Sequence, residues 1–197
     1  MRKMSDEGGW RRIPITGWVQ ERISRLMPEP LVCVDATAGT GRDTLFLCRL
    51  TSRTGRVYAM DIQEEALAIA RERVREAGFE DKVRFIAGGH EDMDRFVPER
   101  PDLIMFNLGY LPGGDHGIAT SFLTTSKAVT KGLELLKPGG LMTLVIYSGG
   151  DSGYGEKDAL LPFLKELDPH RFTVILESFH NRPKEPPLPV YIMKHCD

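Results

Sequence analysis

Short apolar runs bounded by turn residues alternate with segments of helical period along most of this 197-residue chain, and no other feature constrains its fold as much. The runs at 31–34, 56–60, 83–86, 103–106, 141–147, 172–178 and 189–193 read as strands. Between them, 43–50, 64–77, 120–136 and 156–167 read as helices. Leu67, Ala70, Val74 and Ala77 draw one apolar stripe, and Val129, Leu133 and Leu136 draw another. Five strands interleaved with helices, then two with no helix between them, predict an α/β fold. Its sheet should have seven strands, mostly parallel, with helices on both faces and an antiparallel hairpin at one edge. A lead-in helix is expected over 17–27. Residues 1–14 lack periodicity and read as a flexible arm ahead of one domain over 15–197.

Composition narrows the partners. No window approaches the ~18 unbroken apolar residues of a membrane helix, and 1–12 is charged without an apolar stretch, so a cytoplasmic protein with no membrane partner is expected. A formal charge of −2 opposes a broad basic surface, which disfavours DNA and confines any RNA contact to local patches such as Arg22, Arg25 and Arg182. Cys33, Cys48 and Cys196 have no metal-ligand spacing, so neither a metal site nor a disulfide framework is expected. Either a monomer or a homodimer fits this chain.

In an open parallel sheet, ligands bind beyond the carboxyl ends of the strands, and three of those ends carry suitable chemistry. The first runs Asp35-Ala36-Thr37-Ala38-Gly39-Thr40-Gly41-Arg42-Asp43-Thr44. Gly39 and Gly41 permit a tight turn and a close approach to a ligand. A dinucleotide fingerprint would need Gly or Ala where Thr44 stands, and Asp35 and Asp43 set a negative field where a pyrophosphate would lie. The loop therefore suits a cationic ligand such as S-adenosylmethionine. The second end is Asp61-Ile62-Gln63, twenty residues on from Gly41, where a carboxylate can accept ribose hydroxyls. Asp61 with Glu64 would also serve as a helix capping box. The third is Gly88-Gly89-His90-Glu91-Asp92, placed for an adenine edge.

A fourth motif, 106–114 (FNLGYLPGG), sets Asn107, the Leu108 carbonyl and Tyr110 at the end of an apolar run. The amide oxygen and the peptide oxygen can both accept from one amino group and leave its lone pair directed away from them, while the ring packs against the attached base. The spacing resembles the Asn-Pro-Pro-Tyr loop of amino-group methyltransferases, with Leu-Gly in place of Pro-Pro. A strand running into a Gly/Pro turn is the plainer alternative. If the amine is aliphatic it needs a proton acceptor. Asp115 is the candidate, with His116 and His180 behind it. The stretches 112–114 followed by 120–125, and 148–155, could form two mobile walls around this face.

Taken together, DATAGTGRDTLFL, MDIQ, GGHED, FNLGYLPGGDH, LKPGGLMTLVIYSGG, EKDALLPFL and FHNRPKEPP resemble the small S-adenosylmethionine-dependent methyltransferases grouped as rRNA methylases. Some members of that family methylate the aminomethyl group of modified wobble uridine in tRNA. The resemblance spans about 32–194. It implies a Rossmann-like class I methyltransferase fold, Thr40, Asp43, Asp61, Gln63 and His90 in cofactor positions, and 107–115 at the reacting face. The chain departs from the family's GNGHDT at 39–44, lacks a His near 147–150, and reads Lys184-Glu185-Pro186-Pro187 where the family has Asn-Asp-Pro-Pro. Methyl transfer remains the implied activity, with tRNA the implied substrate. Methylation of rRNA or of a small-molecule amine, and a non-catalytic cofactor-binding module, stay open as alternatives.

Overall fold

The computed structural model describes residues 14–108, 121–147, 150–182 and 185–197, with only the backbone of 150–154. Its sheet is built from β1 (Val32–Asp35), β2 (Arg56–Asp61), β3 (Val83–Ala87), β4 (Leu103–Leu108), β5 (Leu141–Ile146), β6 (Phe172–Leu176) and β7 (Leu188–Lys194), in the order β3-β2-β1-β4-β5-β7-β6. The pairs among β1 to β5 are parallel. β7 enters between β5 and β6 and is antiparallel to both. The chain reverses its direction of travel across the sheet between β1 and β4, so a crevice opens beyond Asp35 and Leu108.

Two cores form because side chains alternate along each strand. In β4, Leu103 and Met105 face the layer of α1 (Ile15–Leu26), α2 (Arg42–Leu50) and α3 (Glu64–Glu76), packing with Val19, Ile23, Leu47 and Val74. Ile104, Phe106 and Leu108 face the other layer, α4 (Met93–Phe96), α5 (Phe122–Leu135) and α6 (Gly150–Lys165), with Met93, Val129, Leu133 and Leu160. Burying each such side chain stabilises the fold by roughly 1.5–3 kcal/mol. By the same alternation Asn107 projects on the α1–α2 side, and its strand partner is Val145.

Three differences from the expected boundaries bear on the site. β4 runs on through Asn107 and Leu108, which pair with Val145 and Ile146 rather than leaving the sheet at Phe106. Helix α5 starts at Phe122, one turn defined by a reciprocal cap in which Ser121 and Thr124 each satisfy the other's backbone N–H. Helix α6 starts at Gly150, so 150–155 is helical despite its glycines and is not the wall expected over 148–155. The expected arm over 1–14, apart from Pro14, and 112–114 and 120 of the other expected wall lie outside the described residues.

Candidate active site

Asp61 ends β2 and gathers two main-chain donors. Oδ2 accepts from Gly39 N at 2.7 Å and Oδ1 from Gln63 N at 2.9 Å. Asp61 is thus a clamp between the glycine loop and the start of α3, and the capping box with Glu64 does not form, because Gln63 is the N-cap and has no side-chain cap bond. Each carboxylate oxygen keeps a lone pair for a further donor. Next to it, Ile62 is 59% exposed, an apolar side chain with no core to cover it.

The glycine loop divides its labour differently from expectation. Gly39 and Gly41 both have left-handed backbones, φ 49° and 79°. A Cβ on Gly41 would lie 2.7 Å from the Cβ of Ala70 in α3, so this glycine lets two helices approach each other. Thr40 is likewise turned to α3: its carbonyl and hydroxyl oxygens both accept from the Arg73 guanidinium. Gly39 is directed to the crevice end through its bond to Asp61.

Asp35 is fully buried at the end of β1, where Thr44 Oγ1 donates to it at 2.6 Å and Thr37 N at 3.3 Å. Burial, reinforced by the negative charge of Asp43, pushes its carboxyl up to about 7 against those two hydrogen bonds. Asp43, in the first turn of α2, accepts from Gln20 Nε2 of α1 at 2.8 Å and from Asn107 Nδ2 at 3.2 Å. The backbone of Asn107 is also pinned, its N–H donating to Thr37 Oγ1 at 2.7 Å. Asn107 Oδ1 is buried and has no hydrogen-bond partner among the described residues. An unpaired buried carbonyl costs roughly 1–3 kcal/mol, which a bound donor would recover.

Tyr147, just beyond β5, stands beside the same amide. Burial and the Asp43 charge raise its hydroxyl, while hydrogen bonding with Asn107 opposes the rise. Sequence reasoning assigned Tyr147 no role. The signal available was the two-residue period that carries Val145 and Tyr147 onto the Asn107 face.

His90 sits on the first turn after β3, edge-on to Phe106 with ring centroids 5.8 Å apart. Burial lowers its basicity, against the nearby charges of Glu91, Glu156 and Asp61 and a hydrogen bond to the Ala36 backbone. The imidazole is therefore neutral at pH 7. With the Ala36 bond made through Nδ1–H, the buried and unpartnered Nε2 is an acceptor. The half-buried Glu91 carboxylate lies over Gly89, where a Cβ would approach it within 2.4 Å. Beneath them Thr125 Oγ1 donates to the buried Glu156 at 2.7 Å, a carboxylate that sequence reasoning did not single out. Leu108 is fully buried beside Asn107, whereas Tyr110 and Asp115 lie outside the described residues.

Residues 57–193 match the family model described as "Putative rRNA methylase". A crystal structure described as a putative rRNA-methylase from Clostridium thermocellum superposes with a TM-score of 0.89 at 41% identity, covering 93% of this chain and 99% of that one. A putative methyltransferase from Streptococcus mutans, solved in complex with SAH, superposes at 0.82 with 38% identity and the same coverage. The chloroplastic tRNA (mnm(5)s(2)U34)-methyltransferase of Arabidopsis thaliana is 36% identical over 171 residues, 82% of this chain, and the chain spans 62% of that relative's length. By sheet order, motif and extent of match, the chain has the Rossmann-like methyltransferase fold and belongs to the rRNA methylase family.

Proposed function

We propose that the protein is an S-adenosylmethionine-dependent methyltransferase that N-methylates an amino group of RNA, the aminomethyl group of a modified wobble uridine in tRNA, in the cytoplasm. The observation that carries this reading is the buried, unpartnered Asn107 Oδ1 at the crevice end of β4. An acceptor held there calls for a donor on the substrate, and an amino group is such a donor. The similarity to the Arabidopsis enzyme supports the choice of amine.

The residues at the crevice suit the cofactor. Asp61 has spare lone pairs for vicinal hydroxyls, the exposed Ile62 offers an apolar wall to a purine, and His90 Nε2 can accept from an exocyclic amine. Asp43 and Glu91 make the surroundings negative, which favours a cationic ligand over a phosphate. When bound, S-adenosylmethionine supplies a methyl group on a positively charged sulfur, open to in-line attack.

The chain's part is alignment and proton handling. Asn107 Oδ1 and the Leu108 carbonyl accept from the substrate's N–H bonds and turn its lone pair away from themselves. Positioning of this kind can lower a barrier by ~7–11 kcal/mol. Tyr110 packs against the attached base, and Asp115 accepts the proton that an aliphatic ammonium must lose. Freeing that lone pair costs up to ~4 kcal/mol at neutral pH for a group resembling lysine.

The reading is tested by incubating the protein with labelled S-adenosylmethionine and bulk tRNA from a strain lacking the modification, then identifying the product nucleoside by mass spectrometry. Label in the wobble uridine of tRNA and none in rRNA is expected. Label in rRNA alone would refute the tRNA assignment.

A further inference from the structure

Asn107 can present either end of its amide to the crevice, and its two ends select opposite substrates. With the oxygen inward the site takes a hydrogen-bond donor. With the NH₂ inward it would take a carbonyl or ring nitrogen, and it would occupy the very lone pair that an amine needs for attack. A swing of half a turn about one side-chain bond separates the two, so something must hold the amide.

A relay of contacts does so. A carboxylate only accepts, so Asp43 Oδ2 at 3.2 Å faces the amide nitrogen and leaves Oδ1 for the crevice. Asp43 is itself held by Gln20 Nε2 at 2.8 Å on its other oxygen. Gln20 cannot drift, because α1 is anchored on either side of it. Val19 and Ile23 are buried, Trp18 Nε1 donates to Glu177 Oε2 at 2.5 Å, and Arg22 pairs with the same carboxylate at 2.7 Å. Gln20 and Asp43 both precede the segment 57–193 that matches the family model.

We propose that Gln20 and Asp43 are positioning residues acting through Asn107: they lock its amide with the oxygen inward and so restrict the site to substrates that donate a hydrogen bond, amino groups, over those that only accept one. This rests on the methyl-transfer reading above. Asp43 is then part of the substrate side of the crevice, in place of the cofactor contact expected from its motif.

The test is a mutant cycle, read with labelled S-adenosylmethionine and tRNA lacking the modification, on N107A, D43N, Q20L and the pairs D43N/N107A and Q20L/N107A. An asparagine at 43 can donate as well as accept, so the lock is lost while the volume is kept. We expect kcat to fall about 10- to 100-fold in D43N and roughly 3- to 10-fold in Q20L, with KM for tRNA within about 2-fold. In the N107A background either change should cost less than about 2-fold, because residues that act through a third lose their effect when it is removed. Binding of S-adenosylhomocysteine by calorimetry should stay within about 3-fold in Q20L, and the side-chain ¹⁵N resonance of Asn107 should shift in both single variants. The same loss from D43N with and without Asn107 would overturn the proposal, as would a Q20L protein with wild-type kcat. Full activity in N107A would instead overturn the functional reading itself. If D43N fails to fold, Q20L, at a half-buried helix position, still decides the matter.

Discussion

The two ends of the sheet use the same kinds of residue to opposite effect. At the amino ends of the parallel strands, Lys194, Lys82 and Asp102 are spent on the main chain. Lys194, 2% exposed, donates to the Leu133 and Leu136 carbonyls at 2.9 Å each and pairs with Asp197 at 3.0 Å, closing the end of α5. Lys82 does the same for α2 through the Cys48, Thr51 and Ser52 carbonyls. Asp102 accepts from Leu31 N, Val32 N and Lys137 Nζ. At the carboxyl ends, Asn107 Oδ1 and His90 Nε2 are buried and unspent, and Asp35 is held at a raised pKa. One end contributes stability by completing helix termini. The other forgoes stability and keeps acceptors for a ligand.

The sharpest break of this comparison is N107A. It should lower methyl transfer by about 10³-fold while leaving the urea midpoint nearly unchanged, since losing the single bond from the amide nitrogen to Asp43 is offset by removing the unpaired buried oxygen. A large drop in midpoint would show that the crevice end is structural after all.

Asp35 gives the next largest effect, in the protein without ligand. Below about pH 4 its carboxyl is neutral in both folded and unfolded chains. As pH rises towards about 7 the unfolded chain ionises while the folded one keeps its proton, so stability declines across that window, by up to ~4 kcal/mol, and levels off above it. Urea denaturation of D35N should show a flatter profile between those pH values. An identical slope would mean that another group carries the dependence.

K194M should cost ~3 kcal/mol of stability, because it strands carbonyls at the end of α5, with little change in kcat per folded molecule. Chemical denaturation beside active-site titration separates the two quantities. The smallest expected effect is that of D115N, about 10-fold in kcat at neutral pH, recovering above pH 9 as the amine sheds its own proton. A pH-independent loss would remove Asp115 from proton transfer.

Much of the fold was legible because alternation and helical period are local properties: Leu103 to Phe106 announce a strand, and Leu67, Ala70 and Val74 a helix face. The start of α6 was not, since glycines over 150–155 speak for a loop and the backbone is helical there nonetheless. The positions of Asp61 and Asn107 near the ends of β2 and β4 were legible from the apolar runs that precede them. The contacts of Thr40 and Gly41 with α3 were not legible, because the same glycine spacing that admits a ligand also admits a neighbouring helix, here at Ala70 and Arg73.

By itself the sequence determined which layers form, which stretches are strands and helices, and that carboxylates and an amide collect near the strand ends, all consequences of short-range periodicity and turn chemistry. Only the tertiary structure decided which way each polar group faces. Gln20 reaches Asp43 and Asp43 reaches Asn107, across 23 and 64 residues of chain, because three elements pack side by side. Hydrogen-bond direction depends on which partner ends up within about 3 Å, and that is a property of packing.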